Sequence, residues 1–131
     1  MIALDTNVLA RYLLDDEPAQ ARAARRLLAD AGAEYWIPIT VVLELSWVLR
    51  KADAPRSVVM QRLRDLLSLR NVRTQNAELV HQALRWTVEG MDLADALHLV
   101  LSGKAESFVT FDEALVKQAR KLDVYPPVTA P

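Results

Sequence analysis

The stretch Ile-Ala-Leu-Asp-Thr-Asn-Val-Leu at residues 2–9 decides the fold. Its first three residues form a short apolar run typical of a buried strand, and the polar trio that follows can cap a helix beginning near Val8. A strand that passes directly into a helix is the first half of a βαβ unit. We therefore predict a parallel sheet with Asp5 at the carboxyl end of its first strand.

Short apolar runs alternate with longer segments of helical period along the rest of the chain. This alternation predicts an α/β fold with a central, mainly parallel sheet of four to five strands flanked by helices. No linker or internal repeat interrupts the pattern, so we expect a single domain over residues 1–131. Further strands are expected at residues 35–37, 72–74 and 107–110 and, at an edge, 124–125.

Three predicted helices begin at residues that suit an N-cap. Thr40 precedes the apolar stripe of one helix, and Asp92 precedes another that is expected to run to about Lys104. Thr110 and Glu113 have the spacing of a capping box, which predicts that the last helix follows its strand directly.

The composition limits what the protein can do. The chain has 131 residues, 16 Lys and Arg, 17 Asp and Glu, a formal net charge of −1 and no cysteine. Without cysteine, a disulfide framework, a thiolate nucleophile and a Cys-based metal centre are excluded. A near-neutral protein does not hold a polyanion by bulk charge, so local arginines, a metal ion or a partner would have to attract it.

The sequence also indicates where the protein acts. No apolar run approaches the roughly 20 residues of a membrane span. The first residues contain an acid and lack a basic start, unlike a signal peptide. We expect a cytoplasmic protein that does not act at a membrane.

Four acids fall where predicted strands end or helices begin, the positions at which α/β sheets form their sites. They are Asp5, Glu44, Asp95 and Asp112. Any one acid in a first helical turn is explained by the helix dipole, which favours it by about 0.3–1 kcal/mol. Glu44 is harder to explain, because its helical neighbours predict an apolar stripe without Lys or Arg. We expect Glu44 to lie beside that stripe and Asp5 to face inward.

Several carboxylates at one sheet edge repel one another, which raises their pKa values. A hard divalent cation would relieve this repulsion. Ligation by oxygen alone favours Mg²⁺ or Mn²⁺. The usual chemistry of such a site is phosphoryl or phosphodiester transfer.

Four segments of the chain resemble the motifs of PIN-domain ribonucleases. They occur in order at residues 2–9, 41–45, 92–98 and 109–112. A small chain of this kind is most similar to the VapC-type toxins of type II toxin–antitoxin systems. The resemblance implies a single PIN-like domain, Mg²⁺- or Mn²⁺-dependent endoribonuclease activity on RNA, a homodimer and inhibition by a cognate VapB-like antitoxin.

The resemblance also implies residue roles. By position, the metal-binding catalytic acids would be Asp5, Glu44, Asp95 and Asp112. The supporting residues, which would orient ligands or water, would be Thr6, Asn7 and Thr110.

Other side chains have open roles. His98 lies one helical turn after Asp95, where it could support that acid or be an ordinary helix residue. Arg11 is the best candidate for a contact with an RNA phosphate. Aromatic residues could stack on bases or belong to the core or a subunit interface; they are Tyr12, Trp36, Trp47, Trp86 and Tyr125.

Two alternative functions remain at this point. The chain could be a non-catalytic interaction module on the same fold, whose acids only cap helices. It could also be a haloacid-dehalogenase-type phosphatase, which likewise has an aspartate after its first strand. That class needs a second aspartate two residues later, where this chain has Asn7.

Overall fold

The computed structural model describes residues 1–52 and 54–131. Within these residues the chain forms seven helices and five strands. It divides into two compact units, residues 1–77 and residues 78–131.

The first unit contains a three-stranded parallel sheet and four helices. Its elements are β1 (Ile2–Ala3), α1 (Thr6–Leu14), α2 (Pro18–Leu28), β2 (Tyr35–Trp36), α3 (Ile39–Lys51), α4 (Arg56–Leu67) and β3 (Val72–Arg73). The strand order is β1-β2-β3, with Ile2 opposite Tyr35 and Tyr35 opposite Val72. Because the strands are parallel, the chain leaves β1 and β2 at the same edge, where α1 and α3 begin.

The core of the first unit lies among its helices. Helix α1 packs against α2 and α3, and α3 packs against α4. Side chains at helical spacing along α3 and α4 are fully buried, among them Leu45, Leu49, Val59 and Leu63. Their burial holds α3 in a fixed orientation, since its apolar stripe has only one face to pack on.

The second unit contains a two-stranded parallel sheet. Its elements are α5 (Ala77–Val88, beginning at the last residue of the first unit), α6 (Leu93–Val100), β4 (Phe108–Val109), α7 (Glu113–Leu122) and β5 (Val128–Thr129). Phe108 lies opposite Val128 in the β4–β5 ladder. Helix α6 is apolar on most sides, and five of its eight residues are buried.

The α/β fold and its parallel strands confirm the prediction. The strand grouping differs: the described strands hydrogen-bond as one sheet of three and one of two, instead of one sheet of four to five. Each strand is two residues long, so each ladder rests on few hydrogen bonds. No helix among the described residues is long and apolar enough to cross a membrane.

Two predicted caps are wrong. Helix α3 begins at Ile39, directly after Pro38, so Thr40 lies inside it. Proline fixes its own φ and has no N–H to satisfy, which suits the position before a helix. Helix α7 is capped by Asp112, whose Oδ1 accepts from the backbone N–H of Leu115 at 3.1 Å, and not by Thr110.

Two predicted boundaries also differ. Helix α6 ends at Val100, short of Lys104. The last strand is β5 at Val128–Thr129, not residues 124–125. Pro126 and Pro127 have no N–H to donate to a strand ladder. The Pro127 carbonyl nevertheless accepts a hydrogen bond from the backbone N–H of Phe108 at 2.8 Å. The pairing of β5 with β4 therefore starts at Pro127, whereas the predicted strand was expected to end before the prolines.

Candidate active site

Asp5 lies at the carboxyl end of β1, where the chain enters α1. It is the N-cap residue of α1, and its Oδ1 accepts a hydrogen bond from the backbone N–H of Thr6 at 2.8 Å. The flanking Leu4 and Thr6 are buried but Asp5 is exposed, so the inward orientation predicted for it is wrong. The backbone is still extended at Asp5, and side chains of an extended chain alternate between faces. Its carboxylate is therefore accessible from solvent.

Glu44 lies in the second turn of α3, on the side that faces solvent. The apolar stripe of α3 runs through Val41, Val42, Leu45 and Leu49. Glu44 follows Val41 by three residues and lies beside this stripe with its side chain exposed. Its carboxylate, like that of Asp5, is open to a ligand.

Thr6 connects these two acids. Its hydroxyl donates to Glu44 Oε1 at 3.3 Å, and its backbone N–H donates to Asp5 Oδ1. Thr6 is one of the few buried polar side chains, with 7% of its surface exposed. Its position is therefore fixed by packing. One buried residue thus directs donors at two exposed carboxylates that are 39 positions apart in the chain.

Asp95 lies in the first turn of α6 and is half-buried. Burial raises the pKa of the Asp95 carboxyl above its usual range, and the negative charges of Asp92 and Asp112 raise it further. The nearby His98 has a smaller, opposite effect on the same pKa. The second unit therefore contains a carboxylate in a locally negative environment, a state that a bound cation would relieve.

Asp112 is exposed at the start of α7. Its Oδ1 caps the helix, and its backbone N–H donates to Thr110 Oγ1 at 3.0 Å. Thr110 is itself held by β5, because its backbone N–H donates to the Thr129 carbonyl at 2.9 Å. Thr110 thus fixes the backbone that presents Asp112.

His98 lies on α6, one turn after Asp95. Its ring stacks on Phe108 of β4, with ring centroids 6.3 Å apart and planes 15° apart. This stacking gives His98 a structural contact, and its proximity lowers the pKa of Asp95 against the larger raising effect of burial.

The first-unit ion pairs involve other acids. Arg11 donates twice to Asp16, at 2.8 and 2.9 Å, and once to Gln20. A phosphate contact at Arg11 would thus compete with Asp16. Arg11 and Asn7 line a pocket of about 360 Å³ between α1 and α2.

No ion pair within residues 1–52 and 54–131 involves the four candidate acids. The pairs present are Arg11–Asp16, Arg25–Asp15 and Arg73–Glu34. Within the first unit, Asp5 and Glu44 share the donors of Thr6 and form none of these ion pairs, and carboxylate oxygens are ligands that suit a hard cation such as Mg²⁺. Among the described residues, no three His, Asp or Glu side chains already stand together as a metal-holding group.

Two exposed aromatic residues lie beside the candidate acids. Trp47, three residues after Glu44 on α3, is 51% exposed, and Phe111, directly before Asp112, is 88% exposed. Trp47 was predicted as a candidate for stacking on bases, whereas Phe111 was not. The signal that could have identified Phe111 is a large apolar residue in the turn between a predicted strand and a helix cap.

Parallel strands followed by acids are typical of α/β proteins, which form their sites at the carboxyl ends of strands. The family model of the PIN domain matches residues 2–121 of this chain. The chain therefore belongs to the PIN domain family. PIN domains have a nuclease fold and are generally metal-dependent nucleases. No curated protein matches the chain.

Proposed function

We propose that the protein is an Mg²⁺- or Mn²⁺-dependent endoribonuclease that hydrolyses RNA phosphodiester bonds. Its metal-binding and catalytic residues are Asp5, Glu44, Asp95 and Asp112, and all 131 residues form one PIN-like nuclease domain. The family match spans residues of both compact units, which supports one domain.

The hydrogen bonds of Thr6 carry the proposal. They connect Asp5, which caps α1, with Glu44, which lies in the second turn of α3 and caps no helix. The two carboxylates have no Lys or Arg partner among the described ion pairs. Two exposed carboxylates that share one threonine as hydrogen-bond partner offer the oxygen ligands that Mg²⁺ and Mn²⁺ prefer.

Each supporting residue then has a defined task. Thr6 orients Glu44 and Asp5, and Thr110 fixes the backbone of Asp112. Asn7 is exposed two residues after Asp5, where its amide can reach a substrate oxygen. A bound divalent ion would activate a water molecule for attack on phosphorus and stabilise the leaving oxygen.

The biological role in the proposal is that of a toxin in a type II toxin–antitoxin pair. It rests on the similarity of the motifs to VapC-type toxins. The proposal includes a homodimer, a VapB-like antitoxin that blocks the activity, and action in the cytoplasm.

The experiment is a cleavage assay on mixed structured RNAs with the purified protein in EDTA, Mg²⁺ or Mn²⁺. The Asp112→Asn variant is compared with Glu113→Gln, which changes the adjacent acid outside the proposed site. We expect cleavage only with metal, a loss of activity in Asp112→Asn, and wild-type activity in Glu113→Gln. Cleavage that persists in EDTA or in Asp112→Asn would contradict the proposal.

One observation favours an interaction module instead. Asp5 and Asp112 both accept hydrogen bonds at helix starts, so both acids have a structural use. Asparagine also caps helices well. If capping is their only role, Asp5→Asn and Asp112→Asn will retain every property of the wild-type protein, including divalent metal binding.

A further inference from the structure

Phe111 is the most exposed large apolar side chain of the described residues, with 88% of its surface accessible. Leaving such a ring in water forgoes about 1.5–3 kcal/mol of burial free energy. A protein that keeps a phenylalanine in this position has no folding benefit from the ring. The side chain is therefore available to a ligand.

The turn that presents Phe111 is held on both sides. Before it, the backbone N–H of Thr110 donates to Thr129 on β5, and after it, Asp112 donates to Thr110 Oγ1 and caps α7. These hydrogen bonds fix the backbone on either side of the ring. The exposure of Phe111 is thus built into the turn, and a preorganised ring loses little conformational freedom on binding.

We infer that the Phe111 ring stacks on a nucleobase of the RNA substrate next to the bond that is cleaved. The inference rests on the proposed nuclease function. Phe111 directly precedes the proposed ligand Asp112, and consecutive Cα atoms lie about 3.8 Å apart. A nucleotide beside a phosphate bound at Asp112 would therefore lie close to Phe111. Proteins that bind single-stranded RNA commonly stack its bases on aromatic side chains.

The surroundings of Phe111 favour a base over a protein partner. The residues bonded to it, Thr110 and Asp112, are polar, and the nearest exposed apolar residue in the chain is the small Val109. An anchor residue at a protein interface is normally enclosed by a well-packed ring of further contacts. A nucleobase has an apolar face for the ring and a polar edge that remains hydrated, which suits one isolated aromatic side chain.

The test uses the full chain and a single-stranded RNA that carries the fluorescent base 2-aminopurine. Affinity and fluorescence are measured in EDTA, so that binding is separate from cleavage, and cleavage is then measured in Mn²⁺. The variants are Phe111→Ala, Phe111→Leu and Phe111→Tyr. Leu101→Ala, an exposed apolar residue at the end of α6, is the matched control.

We expect Phe111→Ala and Phe111→Leu to weaken RNA binding by about 5- to 150-fold, the range found when a stacked base loses its aromatic partner. The fluorescence change should disappear with them. Phe111→Tyr should restore both, because it keeps the ring, and Leu101→Ala should match the wild type. In Mn²⁺, Phe111→Ala and Phe111→Leu should raise the KM for RNA cleavage more than they lower kcat.

The outcomes separate this inference from the proposed function. If the wild-type protein cleaves RNA and Phe111→Ala binds and cleaves equally well, the inference is wrong and the nuclease proposal stands. If the wild type binds the labelled RNA through Phe111 but cleaves no RNA, stacking is supported and the nuclease proposal fails. If Phe111→Ala changes only the particle mass in light scattering, the ring serves a protein interface and the inference is overturned.

Discussion

Replacing Thr6 with valine separates the stability of the fold from the function of the site. Valine keeps the shape of threonine and its backbone N–H, so the hydrogen bond to Asp5 stays and only the one to Glu44 is lost. That bond is 3.3 Å long and its acceptor is exposed, so water can replace the hydroxyl. The cost in unfolding free energy should lie near the lower end of about 0.5–1.5 kcal/mol.

The functional loss should be much larger. A hydrogen-bond partner that orients a metal ligand changes metal affinity or activity by about 10- to 100-fold when it is removed. Urea unfolding in EDTA measures the change in unfolding free energy. Mn²⁺ titration and RNA cleavage measure the changes in metal affinity and activity. Thr6→Ser is the control, because it keeps the hydroxyl and should retain most of the activity. Wild-type metal affinity and cleavage in Thr6→Val would refute the role assigned to this residue.

Three further outcomes follow from the structure. Because the pKa of Asp95 is raised in the folded protein above its ordinary value of 3.8, its ionised form destabilises the metal-free fold at neutral pH. Asp95→Asn should therefore be more stable than the wild type in EDTA at pH 7. This gain in unfolding free energy should vanish as the pH falls towards 3.8. A variant that is less stable than the wild type at pH 7 would contradict the prediction. Arg11→Ala should lower stability by less than about 1 kcal/mol in urea unfolding, as expected for an exposed ion pair. It should also reduce the salt dependence of RNA binding by about one unit of slope, whereas Arg25→Ala, which breaks a similar pair, should leave RNA binding unchanged. Leu45→Ala, at a fully buried position of α3, should lower the unfolding free energy by about 2–5 kcal/mol, and a smaller loss would show that the α3 packing is looser than described.

The order of elements could be predicted from the sequence because it depends on local periodicity. The stripes of α3 and α4 repeat at helical spacing, and burial follows that spacing. The apolar run before Asp5 marks β1 correctly, but Ile2 and Ala3 are exposed and only Leu4 is buried. Helix starts were less predictable. Thr40 and Thr110 have good capping side chains, but Pro38 and Asp112 take those positions, since the preceding turn decides where a helix begins.

The acids of the site could be chosen from the sequence, but their surroundings could not. Asp5 was expected to face inward, and it is exposed. One residue of strand register decides this, and spacing alone does not determine the register. The raised pKa of Asp95 has the direction expected from repulsion among carboxylates, but its largest cause is burial, which spacing alone does not reveal.

The role of Phe111 was missed for a related reason. In a sequence, an apolar residue after a strand is expected to extend that strand into the core. Only the hydrogen bonds of Thr110 and Asp112 show that the chain turns there and leaves the ring in solvent.

Mn²⁺ binding to the metal-free protein, measured by isothermal titration calorimetry, tests the central claim most directly. The wild type should bind the ion, and each of Asp5→Asn, Glu44→Gln, Asp95→Asn and Asp112→Asn should bind it more weakly. Glu113→Gln should bind like the wild type. Unchanged Mn²⁺ affinity in all four variants, or no binding by the wild type, would contradict the account of a carboxylate metal site.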